Sequence, residues 1–145
     1  MTAVVDHVGL SVRDLDNSIA FYCDLLGFKL RRIIEVPPDM NLGGIAGLPP
    51  STARIAHLYQ GDVMIELFQY IDPEGRPIGD WTQADRGFSH LGFLCSDIKA
   101  DIDRLREVGV DMVGELVEFR PEVWVQYFYG PDREVLELRQ LPESE

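Results

Sequence analysis

Apolar and polar residues alternate from His7 to Val12, which predicts a strand with Val8, Leu10 and Val12 on one face and His7, Gly9 and Ser11 on the other. The period then changes. Leu15, Ile19, Tyr22 and Leu26 follow helical spacing behind Asp14 or Asp16 as a cap, and Gly27 suits a left-handed helix end. Phe28 to Val36 predicts a second strand, and Ala53 to Tyr59 and Val63 to Tyr70 predict two more, joined by a hairpin turn at Gly61-Asp62. Pro37 to Pro50 is rich in Pro and Gly and reads as a loop or short irregular element. Its Met, Leu and Ile residues predict that part of it is covered, as a flap over a site would be.

The second half repeats this grammar. A strand over Ser89 to Cys95 is followed by a helix from about Ile98 through Ile102 and Leu105 to Val108, ended by Gly109. Strands follow near Met112 to Phe119, Val123 to Phe128 and Val135 to Arg139, with Gly130-Pro131-Asp132 as the last turn. Each half therefore reads βαβββ. Module one is placed at 4–71, a Pro- and Gly-containing linker at 72–87 and module two at 88–141, within a single α+β domain covering 1–145. Two phrases also recur in the residues themselves: Val5-Asp6-His7-Val8-Gly9 as Phe88-Ser89-His90-Leu91-Gly92, and Ile65-Glu66-Leu67-Phe68-Gln69 as Leu136-Glu137-Leu138-Arg139-Gln140.

Composition narrows the partners. The 145 residues, 46% hydrophobic and 10% aromatic, suffice for a packed core. With 13 basic against 25 acidic residues the formal charge is -12, and no basic cluster exists to hold a phosphate backbone, so no nucleic-acid partner is expected. No apolar run approaches the ~20 residues of a membrane span and no signal-peptide pattern is present, which places the chain in the cytoplasm and away from membranes. Cys23 and Cys95, one in each half, sit in apolar patterns and read as reduced packing residues.

The chemistry lies in the repeat. Strand parity sets His7, Glu66, His90 and Glu137 on the faces opposite to the apolar core positions. A carboxylate flanked by Ile and Leu in mid-strand must be paired, coordinated or solvated. Taken singly, each of the four reads as an ordinary sheet residue; their recurrence in matching contexts points to one metal site. Two imidazoles and two carboxylates suit Zn, Ni, Co, Mn or Fe(II). His57 reads as a packing or surface residue, since its phase against Glu66 depends on register. Glu35, Glu118, Arg120, Gln126 and Tyr70 are possible substrate contacts that more often are solvated strand residues, and Trp81 and Trp124 suit a core, a pocket or a subunit contact.

The opening His-x-Gly-x-x-Val with Asp-Leu, which returns as His90-x-Gly-x-x-Cys95 with Asp97-Ile98, the stretches Ser18-Ile19-Ala20-Phe21-Tyr22 and Leu26-Gly27-Phe28, and Gly130-Pro131-Asp132 with Leu136-Glu137-Leu138 resemble the vicinal oxygen chelate superfamily over nearly the whole chain. That superfamily includes glyoxalase I, methylmalonyl-CoA epimerase, extradiol dioxygenases, fosfomycin-resistance transferases and bleomycin-binding proteins. The resemblance implies two modules forming a cupped mixed sheet, one divalent ion per site held by His7, Glu66, His90 and Glu137, and a homodimer acting on a small-molecule substrate. Glu66 fills a position that dioxygenases and fosfomycin transferases leave without a ligand, which implies a metal-dependent isomerase, epimerase or lyase moving a proton next to a carbonyl. Glu137 would be the base and Glu66 its counterpart, as the catalytic pair of glyoxalase I-like enzymes.

Two departures bear on the substrate. The Arg and Asn that commonly hold glutathione in bacterial glyoxalase I-like proteins are here Ser11 and Tyr70. The neighbourhood of the separate acid/base Glu of methylmalonyl-CoA epimerases is here Pro49-Pro50-Ser51-Thr52. The alternatives are an Fe(II) extradiol-type dioxygenase using His7, His90 and Glu137, and a metal-free small-molecule or antibiotic-binding resistance protein.

Overall fold

The structure is a computed structural model that describes residues 3–142. It divides at Pro77/Ile78 into two compact units. Unit one contains β1 (His7–Ser11), α1 (Leu15–Ala20), β2 (Lys29–Val36), α2 (Leu42–Ala46), β3 (Thr52–Gln60) and β4 (Val63–Asp72). Unit two contains β5 (Leu91–Leu94), α3 (Ile98–Glu107), β6 (Met112–Arg120), β7 (Val123–Tyr129) and β8 (Val135–Gln140). Each unit has one four-stranded sheet, ordered β1-β4-β3-β2 and β5-β8-β7-β6. The first and last strands of each unit run parallel and the remaining neighbours antiparallel. The α+β class and the doubled βαβββ order are thus as the sequence predicts. Among the described residues, no helix is long and apolar enough to cross a membrane.

One sheet face in each unit buries the apolar alternation against a helix. Leu15, Ser18 and Tyr22 are fully buried on the side of Ala56, Leu58, Ile65 and Leu67, where α1 meets β3 and β4. In unit two, Ile98, Ile102 and Leu105 bury one helical stripe of α3 on the side of Phe128, Leu136 and Leu138. The first helix differs from expectation in its second half. Regular α geometry stops at Ala20, and Phe21–Leu25 continue as a π-helical turn to Gly27, whose φ is +75°. A four-residue apolar stripe does not distinguish these two helical pitches. Cys23 and Cys95 are free thiols, and burial pushes Cys95 up to about 11, so neither is poised as a nucleophile.

The repeated phrases have a structural share as well as a chemical one. Asp14 and Asp97 cap α1 and α3 by accepting from Asn17 N–H and Ala100 N–H at 3.0 and 3.1 Å. The Gln closing each late phrase accepts the first helical N–H: Leu15 donates to Gln69 Oε1 at 3.2 Å and Ile98 to Gln140 Oε1 at 2.8 Å. Backbone bonds from Val12 to Phe68 and from Cys95 to Arg139 extend the same junction in both copies. Each Gln therefore ties the last strand to the helix and fixes the register of the intervening Glu.

The Pro- and Gly-rich segment of unit one is partly ordered. A 3-10 turn over Pro38–Met40 leads into α2, with Asn41 and Gly47 in left-handed conformations at its two ends. A side chain at Gly43 would collide with the Pro49 carbonyl, so the segment folds back only because that position lacks a Cβ. Leu42 packs against Val36, Ala53 and Ile55 on the sheet face away from α1, so the segment covers part of that face.

Gln140→Ala deletes the acceptor of Ile98 N–H and should lower stability by about 1–2 kcal/mol. Urea unfolding should show a shifted midpoint at unchanged slope, and an unshifted midpoint would contradict the tie.

Candidate functional site

Register fixes what lies beside each predicted residue. On the face of unit one away from α1, one row runs Gly9, Glu66, His57, Arg32 across β1, β4, β3 and β2. The next row runs Ser11, Phe68, Ile55, Ile34. On the corresponding face of unit two the matching rows are Gly92, Glu137, Tyr127, Val113 and then Leu94, Arg139, Val125, Val117. The parity read from the sequence holds in both copies.

His7 and Glu66 meet. His7 Nε2 lies 3.0 Å from Glu66 Oε2, while its Nδ1 lies 2.7 Å from Asp6 Oδ2. An ionised Asp6 only accepts, so Nδ1 carries a proton. Nε2 would then turn a lone pair toward a carboxylate lone pair unless a second proton or a cation lies between them. The Asp6 hydrogen bond, opposed by desolvation and aided by the charge of Glu66, raises the His7 pKa.

His90 and Glu137 meet in the same way, with Nε2 2.9 Å from Oε2 and Nδ1 2.9 Å from Ser89 Oγ. Ser89 can donate or accept, so this imidazole can be satisfied with a proton on Nε2 or can present Nε2 bare. In both copies the outer ring nitrogen is tied and the inner one is aimed at a carboxylate, an arrangement that suits metal-ligating histidines. Among the described residues, no group of three or more His, Cys, Asp or Glu side chains is gathered in metal-ligand geometry. The structure brings together each His with its Glu; the two pairs belong to separate units.

His57 is the residue the sequence undervalued. It is buried at 6% exposure, and its Nε2 lies 2.8 Å from Glu66 Oε1. Arg32 Nε–H donates to His57 Nδ1 at 3.0 Å. Since the guanidinium only donates, Nδ1 is the acceptor, the proton sits on Nε2, and His57 donates to Glu66. Glu66 thus has one oxygen held from behind and one toward His7. Tyr127 occupies the matching position in unit two, opposite Glu137, with its ring centroid 5.0 Å from that of His90. Burial, then the charge and the hydrogen bond of Glu137, raise the Tyr127 pKa, so the phenol keeps its proton and donates. The signal for both was one strand away: the second position of a cross-strand pair is readable only once register is known.

The other candidates separate by face. Gln126 is on the helix side of its sheet, 1% exposed, with Nε2 donating to the Val113 and Tyr127 carbonyls, so it is a core residue and not a substrate contact. Glu35 pairs with Arg54, which also binds Asp16 at 3.0 Å. Glu118 accepts the Glu122 N–H in the β6–β7 turn, and its cross-strand partner Trp124 lies under Lys99 Nζ. Arg120 lies at the end of β6 opposite Val123, and Trp81 in the segment joining β4 and β5. Tyr70 stacks on Phe68 within the apolar patch covered by Leu42.

Comparison with known proteins identifies the family and the fold. The profile of the Glyoxalase/Bleomycin resistance protein/Dioxygenase superfamily matches residues 4–138. The chain is 32% identical to a 2-epi-5-epi-valiolone epimerase of Actinomyces sp., over 95% of this chain and 79% of that one. It superposes with a TM-score of 0.83 on a glyoxalase family protein from Bacillus cereus, 26% identical, covering 95% of this chain and 94% of that one. It shares its fold with the fosfomycin resistance protein FosX from Listeria monocytogenes solved with Mn(II) and sulfate, at a TM-score of 0.66, 18% identity and coverage of 100% and 98%. With the doubled βαβββ units, and a His aimed at a Glu in each, the chain belongs to the Glyoxalase/Bleomycin resistance protein/Dioxygenase superfamily.

Proposed function

We propose that the protein is a divalent-metal-dependent isomerase, epimerase or lyase that moves a proton on carbon next to a carbonyl of a small molecule. The observation that carries this reading is the same pairing in both units, His7 Nε2 with Glu66 Oε2 and His90 Nε2 with Glu137 Oε2. In this reading His7, Glu66, His90 and Glu137 hold one ion, with Zn, Ni, Co, Mn and Fe(II) all suited to two imidazoles and two carboxylates. A bound ion would supply positive charge beside the carbonyl oxygen as negative charge grows there.

The residues then divide the proton work. Glu137 takes the proton from carbon through a carboxylate oxygen, and the bonding pair left behind moves toward the carbonyl oxygen. Glu66 is the counterpart that returns a proton to the carbon skeleton. Two supports favour this order: the superfamily resemblance, and the clamp on Glu66, which His57 holds at Oε1 while Glu137 has the Tyr127 phenol beside it. Tyr127 and His57 hold the two carboxylates in their orientations. The reading takes the protein as a homodimer.

Three outcomes test it. Metal-reconstituted protein in deuterated water should exchange deuterium into the carbon next to the carbonyl of at least one member of a panel of small ketones and aldehydes. Glu137→Gln should slow this by roughly 10²–10⁴, the usual share of a general base; full exchange in that variant would remove Glu137 from the role. His57→Leu should weaken Mn(II) binding, measured by calorimetry, by about 10–100-fold, with His57→Gln recovering part of the loss because its amide can still donate. Equal affinity in all three proteins would contradict the clamp.

A further inference from the structure

The two copies of the late phrase differ in kind at one position that faces the same way as the Glu. Phe68 follows Glu66 by two residues, and Arg139 follows Glu137 by two. By strand parity each lies on the face of its Glu, one pleat along, about 7 Å between α-carbons. In unit one the Phe68 row is apolar with Ile55 and Ile34, and part of this patch lies under Leu42 of α2. In unit two the row is Leu94, Arg139, Val125, Val117, with Leu94 70% and Val117 51% exposed.

Arg139 is exposed within that apolar row. In a chain of formal charge -12, its guanidinium takes part in none of the ion pairs among the described residues. Its cross-strand neighbours on both sides, Leu94 and Val125, offer no acceptor. A surface arginine ordinarily finds a carboxylate or lies among polar neighbours. Here five N–H donors in a planar fork stand one pleat from Glu137 with apolar surface on either side.

We propose that Arg139 is a substrate-binding residue, and that the substrate carries an anionic oxygen group, a carboxylate or a phosphate, about one strand pleat from the carbon served by Glu137. The group receives a forked pair of hydrogen bonds from the guanidinium, while the apolar part of the molecule lies along Leu94, Val125 and Val117. This assignment rests on the proton-transfer reading and adds the substrate class to it. The unit-one face, with Phe68 in the matching position, takes no part in reading the charge.

The test uses the full-length, metal-reconstituted protein with benzoate, phenyl phosphate and neutral benzamide as probes, followed by saturation-transfer NMR and calorimetry. The parent protein should bind at least one anion tenfold or more tighter than benzamide; benzoate over phenyl phosphate identifies a carboxylate site, and the reverse a phosphate site. Arg139→Gln should abolish the preference and Arg139→Lys retain part of it, with bound metal unchanged in both. A preference that survives Arg139→Gln, benzamide binding as well as the anions, or no probe binding to the parent overturns the proposal. Loss of the assignment with metal binding and exchange intact leaves the proton-transfer reading standing. Arg139-dependent anion binding without metal uptake or exchange sinks that reading instead.

Discussion

Glu66 sits in the middle of a ten-residue strand between Ile65 and Leu67, both fully buried, and the cost of holding a carboxylate there organises one face of its unit. Strand parity turns it away from the apolar layer, and two side chains converge on it, His7 at Oε2 and His57 at Oε1, with Arg32 on β2 bonded to His57 from behind. Glu137 is under the same constraint between Leu136 and Leu138, and is met by His90 and Tyr127. A charge in this position without partners would cost several kcal/mol, and removing one partner exposes that cost. The sheet registers, the Gln ties to the helices and the second-strand partners all act to keep these two carboxylates in place.

The duplication is therefore a duplication of scaffold with divergence on one face. Caps, helix ties and apolar alternation recur almost residue for residue, because both copies solve the same packing problem. Where the face is chemical, the copies part: His57 against Tyr127, Phe68 against Arg139, and, among the described residues, a short helix between the second and third strands in unit one alone. A symmetric pair of carboxylates thereby acquires two different environments, one clamped by an imidazole and an arginine, the other beside a phenol and one pleat from the exposed Arg139. Unequal environments let two like groups take opposite roles in a proton transfer.

Most of the architecture was legible because period and punctuation are local. The eight strands, the capped helix Ile98–Glu107 and the turns at Gly61 and Gly130 follow from alternation, spacing and Gly positions. Parity alone set His7, Glu66, His90 and Glu137 on the faces opposite their apolar neighbours. What escaped was everything that depends on register across strands. His57 could not be joined to Glu66, nor Tyr127 to Glu137, without knowing which residues stand opposite. Gln126 read as a possible contact although it belongs to the helix side. The π turn at Phe21–Leu25 and the short helix in the Pro- and Gly-rich segment escaped for a different reason, since runs of five residues carry too few periods to declare a pitch.

In the proposed function the two His–Glu pairs serve one cation. Native mass spectrometry of chelator-treated protein titrated with Mn(II) or Zn(II) counts ions per chain in the parent protein and in His7→Ala and His90→Ala. One shared site should bind one ion per chain in the parent and lose it in either variant alone. Two ions per chain with each variant losing one, or none bound in the parent, would contradict it.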